Sequence, residues 1–248
     1  MNQTSSWQSP QTHPALASDE VHIWLAHLDQ LEANAQSFLE TLAPDERDRA
    51  GRFHFEKDRV RFILARGILR EILARYLHSD AARLRFDYNA YGKPSLAGRK
   101  GITPALHFNL SHAHEIALYA FTLQREVGID IEFIRKDFAC EEIAGRFFSK
   151  REVEMLRALP VRQRTEGFFN CWTRKEAYVK ARGQGLSLPL DRFDVSLAPG
   201  EPATLLFVRD EIGETQRWGL QELNPAAGYV AAVAVEGSGW QLLCWQWS

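Results

Sequence analysis

The strongest constraint on this chain is an order of elements that occurs twice. Ala50-Gly51-Arg52-Phe53 returns as Ala144-Gly145-Arg146-Phe147, and each copy leads into a helical stretch of similar apolar pattern, around Phe62 to Leu73 and around Phe169 to Val179. Each then reaches a strand pair with a turn, Leu110 to Leu118 in the first copy and Leu223 to Ala231 in the second. A four-residue match arises by chance, but a shared order of elements points to duplication. The expected fold is α+β, two structurally similar α/β halves related by a pseudo-two-fold axis, with a ligand cleft between them. The expected divisions are a disordered tail over residues 1–19, an N-terminal half over 20–122 and a C-terminal half over 123–248. Opposite His112 stands Ala226, and Glu176 and Lys180 are expected to face apolar or small counterparts, so one interface should hold one site.

Composition narrows the function classes. A net charge of −2 over 248 residues provides no global basic field, so a bound anion has to be met by a local cluster. Cys140, Cys171 and Cys244 are scattered and odd in number, with neither metal-ligand spacing nor a disulfide framework, which fits a reducing compartment. Met1 to Pro14 is polar, unlike a signal peptide, and no apolar run approaches the ~20 residues of a membrane span, so a cytoplasmic protein is expected.

Val21 to Ala26 alternates and predicts a first strand. A short helix over Ser37 to Thr41 ends before Pro44, and the chain then becomes helical and rich in cations through Arg70. Phe62, Leu64, Ile68, Leu69, Ile72, Leu73 and Tyr76 mark its buried face; most of its arginines are expected in solvent, a few against phosphate. Tyr91-Gly92-Lys93-Pro94-Ser95 is a turn that can present Lys93 and backbone N–H groups to an anion, or a plain surface turn. Strands over Leu106 to Leu110 and Ile116 to Thr122 predict a hairpin with Ser111 and His112 at its tip. Helices follow over Glu141 to Phe148, from the Ser149 cap to Leu159, and from Thr165 to Arg182, where Gly183-Gln184-Gly185 stops the last. Strands near 193–197, 203–208, 217–223, 228–235 and 240–246 predict an antiparallel region.

Two stretches carry chemistry. On a helix, Trp172, Glu176 and Lys180 fall at i, i+4 and i+8 on one face. Alone, that is an ordinary surface Glu–Lys pair. About forty residues upstream, Val127 to Glu132 alternates, with Ile129 and Ile131 toward a core and Gly128, Asp130 and Glu132 the other way. Two carboxylates on one strand face, beside a glycine that permits close approach, resemble an oxygen-ligand site for a divalent cation. An acidic outer face is the plainer reading, weakened because Asp and Glu are depleted in strands and neighbouring like charges repel.

In order and spacing, Gly128-Ile129-Asp130-Ile131-Glu132 and Trp172 to Lys180 resemble the paired signature of the 4′-phosphopantetheinyl transferases. Tyr91-Gly92-Lys93-Pro94, Asn109-Leu110-Ser111-His112 and Gly185 to Leu190 point to the monomeric Sfp type with two fused halves, the match covering roughly residues 43 to 235. Some members carry lysines just after the Pro44 position, where this chain has Glu46 and Arg49. The resemblance implies transfer of the phosphopantetheine arm of coenzyme A to a serine of an apo acyl or peptidyl carrier protein, with release of 3′,5′-ADP. It implies Mg²⁺ or Mn²⁺ on Asp130, Glu132 and Glu176, with Glu176 as general base and Lys180 at the leaving phosphate. Lys93, Ser111 and His112 are expected to hold the 3′-phosphate and adenine end, with Tyr91, Gly92, Pro94 and Asn109 beside them and Arg49 and Arg61 as further cations. Trp172 is expected to pack. Carrier recognition is expected between residues 138 and 168, where Phe147, Phe148, Met155 and Leu156 form an apolar patch or a buried face. Paired acids with a lysine also suit a metal-dependent nuclease, against which the net charge and the lack of a continuous basic groove stand. A non-catalytic coenzyme A-binding module is the remaining alternative.

Overall fold

The computed structural model describes residues 7–9, 15–98, 105–135 and 138–247. The first half runs β1 (Glu20–His27), α1 (Ala35–Thr41), α2 (Pro44–Ala50), α3 (Glu56–Leu77), the short strands β2 (Phe86–Tyr88) and β3 (Pro94–Leu96), then β4 (Leu106–Ala113) and β5 (Ile116–Leu123). The second runs β6 (Val127–Phe133), α4 (Cys140–Phe147), α5 (Lys150–Ala158), α6 (Val161–Arg182), β7 (Phe193–Val195), β8 (Leu205–Val208), the single turn α7 (Glu214–Arg217), β9 (Trp218–Leu223) and β10 (Tyr229–Glu236). In one sheet β5 lies between β1 and β4; in the other β10 lies between β6 and β9, and every one of these pairs is antiparallel. The same strand order in both halves is what a pseudo-two-fold relation produces.

Alternation sorts the side chains into layers. Val21, Ile23 and Leu25 of β1 and Val127, Ile129 and Ile131 of β6 meet in one core between the sheets. The opposite face of β1, with Trp24 and Ala26, packs under Leu64, Ile68 and Ile72 of α3, and α6 packs on β6 and β10. Asn109 stitches the two sheets at their facing edges: its side-chain oxygen accepts from the Ile129 N–H of β6 at 2.9 Å. Among the described residues no helix is long and apolar enough to cross a membrane.

Two expectations need correction. The last strand, β11 (Gln241–Gln246), does not stay with residues 123–248; it runs parallel to β1 at the edge of the first sheet. There it pairs N–H and C=O groups that β1 would otherwise expose. Part of the tail expected to be disordered is also held: the Gln8 N–H donates to Cys244 O at 3.0 Å and Gln8 O accepts from the Gln246 N–H at 2.8 Å. Residues 1–6 and 10–14 of that tail lie outside the described residues.

Each half is framed by a buried ion pair. Ser149 and Glu152 form a capping box at the start of α5, and the fully buried Glu152 carboxylate meets the fully buried Lys175 ammonium of α6 at 2.8 Å. Lys175 also donates to Leu190 O and Phe193 O at 2.6 and 2.5 Å, while Glu152 accepts from the Val195 N–H at 2.8 Å, so one pair ties α5, α6 and β7. In the first half Glu46, in the third helical position of α2, takes the same part: its carboxylate lies 2.5 Å from Arg70 of α3, and Arg70 donates to Ala81 O and Leu84 O ahead of β2. Arg70 and Lys175 hold the same place counted from the starts of two 22-residue helices.

That equivalence corrects the register of the repeat. Residues 50–53 follow Glu46, whereas residues 144–147 lie in α4 and precede Glu152. The four-residue echo therefore joins segments that are not equivalent: in the order of elements α4 corresponds to α1, whereas residues 50–53 close α2, the counterpart of α5. By the same count the counterparts of Glu176 and Lys180 are Glu71 and Arg75, charged residues rather than apolar or small ones.

The Lys175→Met variant is expected to lower the free energy of unfolding by about 3–5 kcal/mol, because Glu152 is left charged and buried without its cation. Lys175→Met with Glu152→Leu should recover much of the loss. Urea denaturation measures both, and a single-variant loss below about 1 kcal/mol would contradict the framing role.

Candidate active site

Residues 172, 176 and 180 form the partly exposed stripe of a helix whose other positions from 173 to 179 are buried. Trp172 packs: its ring stacks on Phe168 with centroids 5.9 Å apart and meets Phe147 and Phe148. Phe148 and Leu156 belong to the core, Met155 packs against it from a partly buried position, and Phe147 remains 47% exposed. Of the four apolar residues considered for a partner surface, only Phe147 presents much area.

Gly128 sets the distance between α6 and β6. A Cβ there would collide with the Ala177 carbonyl and the Ala181 amide, so the helix backbone rests on the strand where a side chain would otherwise stand. Glu176 and Lys180 are thereby lowered onto Asp130. The Lys180 ammonium lies 2.6 Å from Asp130 Oδ1 and also donates to Ser111 Oγ at 3.0 Å and Ile129 O at 3.3 Å. Ser111 itself donates to Asp130 Oδ1 at 3.0 Å. The second Asp130 oxygen is buried without a hydrogen-bond partner.

The other two acids feel this centre. Burial first, then repulsion from Asp130 and, more weakly, Glu176, pushes the Glu132 carboxyl up to about 7. Burial and then Asp130 likewise raise the pKa of Glu176. Among the described residues no His, Cys, Asp or Glu side chains already converge as a three-ligand metal cluster. A buried oxygen without a partner and two acids whose ionisation is disfavoured nevertheless form an oxygen donor set that a divalent cation would stabilise.

Lys180 also lines a cleft of about 310 Å³ with Arg49, Phe62, Arg66, Tyr88, Gly92, Pro94, Ser111 and His112. Ser111 and His112 belong to β4 rather than to the hairpin tip, which lies at His114, where φ is +49°. The strand places Ser111 toward Asp130 and His112 at the wall of the cleft. The protein packed around His112, then the charges of Lys180 and Arg61, hold its pKa below the ordinary value. Arg61 approaches the same group and keeps one guanidinium nitrogen buried without a partner. Arg49 is exposed, its guanidinium 5.3 Å from the Phe62 ring centroid.

Three expected residues are not brought to the cleft. Tyr91 stands 55% exposed on the hairpin turn. Asn109 is committed to β6. Lys93 points away and bonds Glu126 at 2.8 Å and Ala181 O at 3.0 Å. Conversely, Arg66 and Tyr88 line the cleft without having been singled out in the sequence. Arg66 Nε lies 2.8 Å from Glu46 and its Nη2 donates to the Tyr88 hydroxyl at 2.5 Å. The signal was present: Arg66 and Arg70 interrupt the apolar run of α3, and buried arginines require a carboxylate.

Mutually repelling acids beside a cationic cleft suit chemistry on phosphate, and the duplicated frame around them is that of a two-half α+β transferase. Comparison with known proteins gives the class its name. Residues 126–234 match the model of the 4′-phosphopantetheinyl transferase superfamily, and residues 27–123 match that described as 4′-phosphopantetheinyl transferase, N-terminal. The chain is 43% identical over 242 residues to 4′-phosphopantetheinyl transferase HetI of Nostoc sp., covering 98% of each. It is 36% identical over 162 residues to 4′-phosphopantetheinyl transferase Sfp of Bacillus subtilis, covering 65% of this chain and 69% of that one. To human L-aminoadipate-semialdehyde dehydrogenase-phosphopantetheinyl transferase it is 29% identical over 211 residues, covering 79% and 68%. The chain belongs to the 4′-phosphopantetheinyl transferase superfamily, as an enzyme of the Sfp type.

The Lys180→Met variant strands the buried Asp130 carboxylate and is expected to destabilise the metal-free protein by about 1–3 kcal/mol. Adding Asp130→Asn should restore part of that stability, with the two effects far from additive. A double-mutant cycle by chemical denaturation tests this; simple additivity would show that the 2.6 Å pair carries no coupling.

Proposed function

We propose that the chain transfers the 4′-phosphopantetheine arm of coenzyme A to a serine of an apo acyl or peptidyl carrier protein, releasing 3′,5′-ADP. The observation that carries this reading is the double placement of Lys180, bound to the acidic centre at Asp130 and lining the cationic cleft. One side chain thus joins a place for a pyrophosphate to a place for a further phosphate.

Asp130, Glu132 and Glu176 are the residues that would hold a divalent cation, Mg²⁺ or Mn²⁺, which when bound neutralises pyrophosphate charge. The orphaned Asp130 oxygen and the raised pKa values of the other two acids support that assignment. Glu176 has an affinity for protons above that of an ordinary carboxylate, which suits it to accept the proton of the incoming serine hydroxyl. Lys180 offers its ammonium to the departing phosphate. Arg49, Arg61, Ser111 and His112 supply cationic and hydrogen-bonding groups for the 3′-phosphate, and Gly92 and Pro94 form the wall beside the adenine. Two fused halves bring both sides of the cleft from one chain, so the working unit is a monomer. The exposed Phe147 edge near Trp172 is the apolar part of the carrier-facing surface.

One incubation tests the reaction class: purified protein, coenzyme A, Mg²⁺ and a panel of apo carriers, read by intact mass. A gain of one phosphopantetheine on a carrier is expected. Glu176→Gln should lower the rate by at least about 100-fold and Asp130→Ala should abolish it, with both variants folded by circular dichroism. Wild-type transfer by either variant would remove the acid assignments. DNA cleavage in Mg²⁺ without carrier modification would favour a nuclease instead.

A further inference from the structure

Lys93 has the position of a phosphate ligand in the sequence but a different set of partners in the fold. The turn between β2 and β3 is organised by Asn89, whose side-chain oxygen accepts from the N–H groups of Tyr91 and Lys93 at 2.9 Å each. The same side chain donates through Nδ2 to Gly183 O at 2.7 Å. The Lys93 ammonium donates to Ala181 O at 3.0 Å and to Glu126 at 2.8 Å, and the other Glu126 oxygen lies 3.2 Å from His107 Nδ1. Ala181 O is among the last carbonyls of α6, which have no partner within the helix and mark its negative end. A hairpin of the first half is therefore bonded by two side chains to the C-terminus of the helix that carries Glu176 and Lys180.

The contact is closely fitted. Gly183 has φ +64°, and a Cβ there would press on Asn89 and Lys93; Gly185 has φ +52°, and a Cβ there would press on Tyr91. Gly92 and Pro94, on either side of Lys93, line the small cleft from the hairpin, and Lys180 lines it from α6. Whatever fixes the hairpin to the end of α6 fixes the separation of those two walls.

We infer that Lys93 is a positioning residue: with Glu126, and beside the Asn89–Gly183 bond, it latches the hairpin to the end of α6 and sets the width of the cleft, without touching phosphate. The inference rests on the coenzyme A reading given above for the site's ligand, but its geometry is testable without that ligand. A phosphate ligand and a latch differ in what Glu126 does. Removing a phosphate ligand's acidic neighbour leaves the ligand free to bind, whereas removing either half of a latch opens it.

The test compares Lys93→Met, Glu126→Gln and the double variant with coenzyme A and with 3′-dephospho-coenzyme A. Each single variant is expected to raise KM for both substrates by the same factor, on the order of tenfold, with kcat little changed. The double variant should be no worse than either single one, and Lys93→Arg should recover part of the effect. Amide exchange of residues 89–93 and 183–185, measured without ligand, should quicken in both single variants. If Lys93→Met erased the preference for the 3′-phosphate while Glu126→Gln behaved as wild type, Lys93 would be a phosphate ligand and the latch would be wrong. Unchanged exchange in both variants would also overturn it. A wild-type protein that used neither substrate would instead count against the proposed function, leaving the exchange measurement to judge the latch.

Discussion

The contact of α6 with β6 at Gly128 is the constraint on which the site depends. Helix and strand side chains ordinarily keep their backbones apart, and at this point there is none. Bringing the helix down to the strand turns an ordinary i, i+4 pair into two groups that share a buried environment with Asp130. The same approach forces acids together that would rather be apart, which burial and repulsion register as raised pKa values at Glu132 and Glu176. Nothing on the exposed face of α6 alone would predict that.

Much of this was legible. The alternation over Val127 to Glu132 gave the inward and outward faces correctly, because a period of two leaves little choice once Ile129 and Ile131 have a core to enter. The stripe of Trp172, Glu176 and Lys180 followed from helical spacing. The duplication was legible as an order of elements but not in its register. The equivalence of the halves is carried by Glu46–Arg70 and Glu152–Lys175, pairs formed 24 and 23 residues apart, by a cation that reads as solvent-facing until burial is known. A short repeated word was easier to see than a repeated interaction, and it led to the wrong alignment.

What stayed hidden was non-local. β11 crosses to the first sheet because the edge of β1 needs a partner, a requirement no pattern within residues 241–246 expresses. Ser111 and His112 remain on β4 because the turn falls two residues later, at His114. Lys93 carries a motif position, yet its partners Glu126 and Ala181 lie 33 and 88 residues away. Sequence spacing indicates which residue types the site needs; it does not say which of them are occupied elsewhere.

One frame with two halves yields one site, and the reason lies in what fills the space between helix and strand. Matched through their central strands, His22 and Trp24 of β1 correspond to Gly128 and Asp130 of β6. Where the second half has a glycine and a short acid, the first has an imidazole and an indole. These hold the Tyr76 hydroxyl at 2.7 and 2.8 Å and keep α3 off its strand. Arg75, the counterpart of Lys180, cannot reach the strand through them and lies over the Trp247 ring instead, 4.1 Å from its centroid. The first half thus has the charged helix positions, Glu71 and Arg75, but an indole where β6 has Asp130, and the carboxylate that β1 does carry, Glu20, is engaged by His22 at 3.2 Å. The asymmetry between the two helix–strand pairs therefore follows from side-chain volume on two strands, before any difference in the charges the helices carry.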